Sequence, residues 1–357
     1  MPGKRLGRKM VAFESDDWGS LRIPSAAVME ELQVSGIDFS SNPFNSFDAL
    51  ESDEDLQSLF ELLSVFKDFH GNHPIITANC IVANPDFEKI RQASFREYHW
   101  ENLEITYSKN SASKNAYKLF KEGMKAGVIW PQLHGREHLN IDQWLAALGS
   151  GDAQILKAFS LGVFAIDYQN QHSQRSNFTA AFDFTDKEDA PGKEDIVREA
   201  VGEFERLYGF RSKSFIAPCY VWHPSLELAL SRYGVKYLQG INYQFSPQPG
   251  KPNYKRIMHT QGEINKIGQR YFVRNAFFEP SLNKNLDWVE NCMQRIKIAF
   301  FWGKPAIIGT HRLNFIGGIS KENRERTHSL LNTLLTKIMR TWPDVEFTTT
   351  DRLGDLY

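Results

Sequence analysis

The sequence predicts an α/β fold, either a barrel or a doubly wound parallel sheet, and three observations lead there. Short apolar runs bounded by Gly, Pro or polar clusters alternate with longer segments of helical period. That alternation continues along all 357 residues, a length that suits one barrel domain as readily as two smaller domains. Apolar residues at 41% and aromatics at 13% are enough to fill a substantial core.

The runs with strand character are Lys9 to Ser15, Pro74 to Ala83, Gly127 to Leu133, Leu161 to Tyr168, Lys213 to Pro218, Val235 to Ile241, Arg270 to Arg274, Ala306 to Thr310 and Val345 to Thr349. Helical period marks Asp53 to Phe66, Asn115 to Ala126, Ile141 to Leu148, Lys193 to Tyr208, Ser225 to Arg232, Leu286 to Phe301 and Ser320 to Met339. Strand and helix in turn imply parallel pairing with right-handed crossovers. Two stretches stand outside a minimal unit: Glu97 to Ser113 reads as an excursion, and Phe245 to Tyr254, with three prolines, as a long loop. With no internal repeat or low-complexity linker, one domain over 1–357 with insertions is the expected organisation.

Charge and cysteine usage narrow the function. Lys+Arg 42 against Asp+Glu 43 leaves no excess to hold phosphates, so nucleic-acid and acidic-membrane partners are not expected. Cys80, Cys219 and Cys292 are odd in number and far apart, which argues against a disulfide framework and against a thiolate zinc site. The start MPGKRLGRK is basic, but Glu14, Asp16 and Asp17 interrupt the following apolar stretch too early for a signal peptide, and no membrane span follows. A cytoplasmic protein is expected.

Four motifs could carry chemistry. Asp16 and Asp17 are adjacent carboxylates at the end of an apolar strand, where they repel one another unless a cation or proton is shared. HGREH, His134 to His138, follows the run GVIWPQL; its imidazoles could meet one divalent cation together with a carboxylate. It also fits H-x-x-E-H, a zinc-peptidase pattern with Glu137 as general base. Pro131 and Gly135 instead favour a strand end followed by a turn, on the rim where barrels bind ligands. His311 closes a third strand in IIGTHRLNF. The fourth motif, KSFIAPCYVWHP from Lys213 to Pro224, runs from a strand into a Pro-containing turn.

Each motif alone has a plainer reading. The aspartates could form a helix-capping turn, and the histidines could be satisfied core or surface residues. Trp18, Trp130 and Trp222 could stack on sugars or simply pack the rim. His70, His73 and His99 read as structural, and Lys321 to His328 as a solvated helix start.

Taken in order, DDWG, HGREH, the strand and Pro turn at Phe215 to Tyr220, THR and the closing VEFTTTDRL resemble the polysaccharide deacetylase (NodB-homology) family, including chitin and peptidoglycan deacetylases, over essentially the whole chain. The resemblance implies a distorted (β/α)7 barrel that hydrolyses an N-acyl group, typically N-acetyl, on a sugar or glycan. It makes Asp17, His134 and His138 ligands of a divalent metal, zinc first and cobalt, manganese or nickel as alternatives. Metal-bound water would attack the amide, with Asp16 as general base and His311 as general acid. Cys219, through its backbone N–H, together with Tyr220, Trp222 and Arg274 would face the carbohydrate substrate. The family pattern has an arginine at the start of the Pro turn to orient the base, and this chain has Ile216 there. Arg274 or Arg136 could supply the guanidinium instead, and Glu279 is placed to tune His311. The alternatives are a non-catalytic carbohydrate-binding relative, a zinc peptidase using HGREH, and hydrolysis of a non-sugar C–N bond.

Overall fold

The computed structural model describes residues 3–37, 42–166, 178–186 and 189–357. Thirteen strands are present among them: β1 (Met10–Trp18), β2 (Ile76–Ile81), β3 (Ala83–Pro85), β4 (Trp100–Asn102), β5 (Ile129–Gly135), β6 (Ser214–Phe215), β7 (Tyr237–Gly240), β8 (Tyr243–Ser246), β9 (Lys255–Met258), β10 (Arg270–Val273), β11 (Ala276–Phe277), β12 (Ala306–His311) and β13 (Glu346–Thr348). The main sheet runs β10-β7-β6-β5-β2-β1-β12-β11, and every neighbouring pair is parallel. β13 pairs with the start of β1, also in parallel.

The two ends of that sheet are a single piece of chain. Only Arg274 and Asn275 separate β10 from β11, and Arg274 N donates to Gly240 O (2.8 Å) while Asn275 N donates to Ile307 O (3.0 Å). An extended segment therefore starts beside β7 and finishes beside β12, closing the sheet into a barrel. Counted once, with β1, β2, β5, β6, β7 and β12, it makes seven staves, the distorted (β/α)7 barrel expected from the sequence.

The barrel's lumen is partly polar. Gln132 Oε1 accepts from Ser214 N and Oγ (both 2.8 Å), and Gln239 Nε2 donates to Ser214 Oγ (2.7 Å). Asn79 Nδ2 then donates to Gln239 Oε1 (2.9 Å) and to Asp16 Oδ1 (2.8 Å). This network forms the floor beneath Asp16, with Asn79 Oδ1 buried and left without a partner among the described residues. Outside, helices such as Asp53–Ser64, Ala190–Tyr208 and Lys321–Thr341 lay apolar faces on the sheet. The first of these begins with a capping box between Ser52 and Asp55.

Three sequence expectations change. Leu161 to Tyr168 contains no strand as far as Ile166, its last two residues lying outside the described ones. Gly162 at φ +74° turns the chain there, and Val163 to Ile166 instead join an apolar cluster with Trp144, Ile155 and Phe159. Phe245 to Tyr254 is not a plain loop: β8 and β9 pair antiparallel on either side of it, with its prolines in the connection. Glu97 to Ser113 holds β4, antiparallel to β3, and a helix, Leu103–Lys109, capped by Asn102. Short helices at Ala26–Val34 and Pro43–Phe47 also went unsignalled. Among the described residues, no helix is long and apolar enough to cross a membrane.

Candidate metal centre

A bulge at the end of β1 separates the two aspartates. Pairing between β1 and β2 shifts register between Ser15 and Trp18, and Asp17 takes φ +74°, a left-handed conformation that Asp tolerates better than most residues. The two carboxylates consequently have different partners. Asp17 Oδ1 lies 3.3 Å from His134 Nε2 and 3.2 Å from His138 Nε2. One oxygen and two imidazole nitrogens, all buried, come within 4.8 Å of one another.

His134 ends β5, and the turn that follows brings His138 back beside it, with ring centroids 5.1 Å apart. Gly135, at φ +135°, permits that turn. His134 Nδ1 lies 2.8 Å from the carbonyl oxygen of Ile216. A ring N–H donated to that carbonyl leaves Nε2 with its lone pair toward Asp17, the arrangement of a metal-ligating histidine. Burial pushes the His138 pKa below its ordinary value despite Asp17, which favours the neutral, ligating form. Burial also pushes Asp17 up, but His138, His134 and Arg22 overcome this and hold it well below the usual carboxylate range. An Asp oxygen with two imidazole nitrogens suits zinc or a similar divalent ion.

Charge balance points the same way. The centre and its immediate supports bury six carboxylates, Glu14, Asp16, Asp17, Asp48, Glu51 and Glu279, against Arg22, Arg274 and Arg312. A protonated His311 still leaves two negative charges in excess, which one divalent cation cancels. That count takes all six as ionised; burial drives the pKa of Glu14 and of Asp48 above the ordinary value, and Arg274 and Arg312 respectively oppose it.

Asp16 faces the other side. Arg274 Nη2 donates to its Oδ1 (2.6 Å) and Nη1 to its Oδ2 (2.7 Å), a bidentate clamp. Nε of the same guanidinium donates to Glu14 Oε2 (2.8 Å), and Nη1 also reaches the Tyr220 hydroxyl (3.1 Å). Burial raises the Asp16 pKa, but Arg274, then His311, bring it below the ordinary value. Gly309 on β12 makes room for the clamp: a Cβ there would lie 2.6 Å from Arg274 Cδ.

His311 closes the constellation. Its Nδ1 lies 2.6 Å from Glu279 Oε1 and its Nε2 3.6 Å from Asp16 Oδ2. Burial lowers its pKa, but Glu279 and then Asp16 outweigh that and raise it to about 9. At 18% side-chain exposure it is more open than Asp16 or Asp17. Asn314 Nδ2 donates to Glu279 Oε2 (2.7 Å) and fixes that carboxylate.

Several sequence expectations are corrected here. Arg274, taken as substrate-binding, is fully buried among Glu14, Asp16 and Tyr220 and holds Asp16 instead. Arg136 does not reach Asp16: its Nε and Nη2 donate to Glu137 (2.6 and 3.0 Å), and it also pairs with Glu199. Glu137 is thereby turned into that ion pair, and with His134 on a strand the shared helical face of a zinc peptidase does not form. Trp222 is buried, with its indole N–H on Glu227 Oε1 (3.1 Å) and its ring over His259, so it offers no sugar platform. Trp18 packs on Phe120, and Trp130 stacks on Phe210. Cys219 and Tyr220 both take left-handed φ in the 3-10 turn Pro218–Tyr220, and Tyr220 reaches the site through Arg274. Sequence reasoning missed Glu14, Asn79 and Arg22; Glu14 and Asn79 had only their strand positions as a signal, and Arg22 had none.

No family model and no curated protein matches the sequence. Solved structures do match, among them proteins described as polysaccharide deacetylases and a CE4 family pseudoenzyme. A candidate glycoside hydrolase/deacetylase from Parabacteroides distasonis superposes with a TM-score of 0.54 at 8% identity, covering 99% of this chain and 72% of that one. A 4-alpha-glucanotransferase from Thermococcus litoralis gives 0.48 at 10% identity; 98% of this chain is covered, and it spans 40% of the length of that protein. A candidate polysaccharide deacetylase from Mycobacterium smegmatis gives 0.43 at 10% identity over 99% of this chain and 91% of that one. The Parabacteroides match bears on the fold alone: the two chains share a distorted α/β barrel.

Proposed function

We propose that this protein is a metal-dependent hydrolase that removes an N-acyl group, N-acetyl in the simplest case, from a sugar or glycan. The observation that carries the proposal is the division of labour at the end of β1. Asp17 meets two imidazole nitrogens while Asp16, one residue away, is clamped by Arg274 opposite His311.

Asp17, His134 and His138 would hold the cation, which when bound polarises an amide carbonyl and acidifies water at the same position. The remaining steps belong to the protein. Asp16 Oδ1 accepts two hydrogen bonds, from Arg274 and Asn79, and Oδ2 one, from Arg274 Nη1, so Oδ2 is the oxygen with capacity to take a proton. His311, protonated at neutral pH and directed by Glu279 at Nδ1, presents its Nε2 proton to the departing amine. Afterwards the proton on Asp16 Oδ2 returns to His311 Nε2, 3.6 Å away, and both groups are restored.

Ile216 stands where the family pattern has the arginine that orients the base, and Arg274, at the end of β10, clamps Asp16 instead, which supports the catalytic reading over a carbohydrate-binding one. Ile216 contributes through its carbonyl to His134 instead. The test is acetate release from N-acetylated sugars and chito-oligosaccharides by protein reconstituted with zinc or cobalt. Turnover that vanishes in Asp16→Asn supports the proposal; no acetate from any acetamido sugar at full metal occupancy refutes it.

A further inference from the structure

The closing motif VEFTTTDRL supplies no residue to the metal centre, yet one of its threonines is tied to it. β13 pairs with Met10 to Ala12 at the start of β1, the end of that strand away from the aspartates, and the helix Thr350–Asp355 follows. Trp130 Nε1 donates to Asp351 Oδ2 (3.1 Å) and the Tyr237 hydroxyl to Asp355 Oδ1 (2.8 Å), so the helix spans the starts of β5 and β7. Gly354 seats it there, since a Cβ would collide with the Tyr237 ring.

The first residue of that helix turns toward β1. Thr350 Oγ1 donates to Glu14 Oε1 (2.7 Å), and Thr350 N donates to Thr77 Oγ1 (3.1 Å), on the β2 residue that pairs with Glu14. Glu14 and Asp16 are two residues apart in one unbroken register with β12, which puts both on the inner face. A single guanidinium serves the two carboxylates: Arg274 Nε donates to Glu14 Oε2 (2.8 Å) while Nη1 and Nη2 make the clamp on Asp16. Thr350, Glu14, Arg274 and Asp16 therefore form one continuous chain of hydrogen bonds from beneath the barrel to the base.

Neutralising Asp16 takes Arg274 alone, so a second buried carboxylate on the same face adds a desolvation cost and like-charge repulsion. What it supplies is direction. Arginine carries its planar fork on a flexible stem, and both arms reach Asp16 only while that plane is held. The Nε bond to Glu14 holds the plane, and the Thr350 hydroxyl holds Glu14 from the far side.

We infer that Glu14 and Thr350 are positioning residues for the base: Thr350 holds Glu14, Glu14 fixes the plane of Arg274, and Arg274 keeps Asp16 aimed at the reacting atoms. This deepens the deacetylase reading and rests on it for what Asp16 does, not for how Asp16 is held. The closing motif then orients the base as well as sealing the barrel.

Three threonine variants test the inference in the zinc-loaded full chain. Thr350→Val keeps the shape and removes the hydroxyl, whereas Thr350→Ser keeps the hydroxyl. Thr349→Val is the control for a merely structural loss, because the Thr349 hydroxyl donates to Asp351 in the same turn. Each is assayed for acetate release from chito-oligosaccharides, bound zinc and thermal melt, and Thr350→Val is also crystallised. In Thr350→Val the clamp on Asp16 should lose one of its two hydrogen bonds, and kcat should fall about 10-fold with KM within about twofold and zinc retained. Thr350→Ser should recover kcat to within about twofold of wild type, and Thr349→Val should lower Tm with kcat within about twofold. Glu14→Gln should lose more kcat than Thr350→Val; should it fail to fold, the threonine series decides alone. With an active wild type, a clamp or a kcat unchanged in Thr350→Val, no recovery in Thr350→Ser, or an equal loss of kcat in Thr349→Val overturns the inference. A wild type that releases no acetate refutes the deacetylase reading instead, and the clamp seen in the Thr350→Val crystal then decides whether the positioning stands.

Discussion

Arg274 grips Asp16 with two hydrogen bonds from a position 258 residues further along the chain. Because Arg274 lies between the strand segment paired with β7 and the segment paired with β12, the clamp exists only when the barrel closes. Arg274→Gln strands Glu14 and Asp16 as buried charges and should destabilise the fold by about 3–5 kcal/mol in urea denaturation. Gly309→Ala is the gentler probe. Its Cβ would push on Arg274 Cδ, so kcat should fall about 10- to 100-fold with bound metal retained.

Metal retention separates the two aspartates. Asp17→Ala and His134→Ala should lose the bound cation, read as metal per protein by plasma mass spectrometry, whereas Asp16→Asn should keep it. Chelation should lower Tm of the wild type, since a cation present at 100 times its Kd adds about 2.7 kcal/mol to stability. Asp17→Ala should show no such chelator effect.

The pH profile should end on His311. Its pKa lies near 9 in the folded protein against an ordinary 6.5, so kcat should decline as pH rises through about 9. The sign for stability is the same: a raised pKa contributes fully below 6.5, and the contribution is lost as pH rises through about 9. Glu279→Gln removes the largest influence holding the proton and should move the basic limb downward. An unmoved limb would assign the acid to another group.

Glu137 distinguishes the deacetylase from a peptidase. In Glu137→Gln the buried Arg136 loses one of its two charged partners and keeps Glu199, with a stability cost of about 1–3 kcal/mol in a thermal or urea melt. Deacetylation should stay within about twofold of wild type. A peptidase using Glu137 as its base would lose activity altogether.

The parts of the site legible in the sequence are those set by one strand and the residue at its end. Asp17, His134 and His311 could be placed because each closes an apolar run, and parallel strands bring those ends to one rim. Arg274 was one of two candidates for the missing guanidinium, and nothing local distinguishes it from Arg136; barrel closure and the gap left by Gly309 decide the matter. Glu279 could be named by position, but its hydrogen bond to His311 spans 32 residues of loop and helix. Arg22 and Asp48 left no trace, because both lie in loops and a loop gives no periodic signal. Residues 161 to 166 show the converse: an apolar run reads as a strand even when it packs as buried coil.

Whether Asp17, His134 and His138 share one catalytic cation can be read from anomalous diffraction by zinc-grown crystals, recorded on both sides of the zinc absorption edge. The expected result is a single strong anomalous peak within about 2.0–2.2 Å of Asp17 Oδ1 and the Nε2 atoms of His134 and His138. Absence of a peak there at full soaking, or a peak bound through Glu137 in its place, would contradict it.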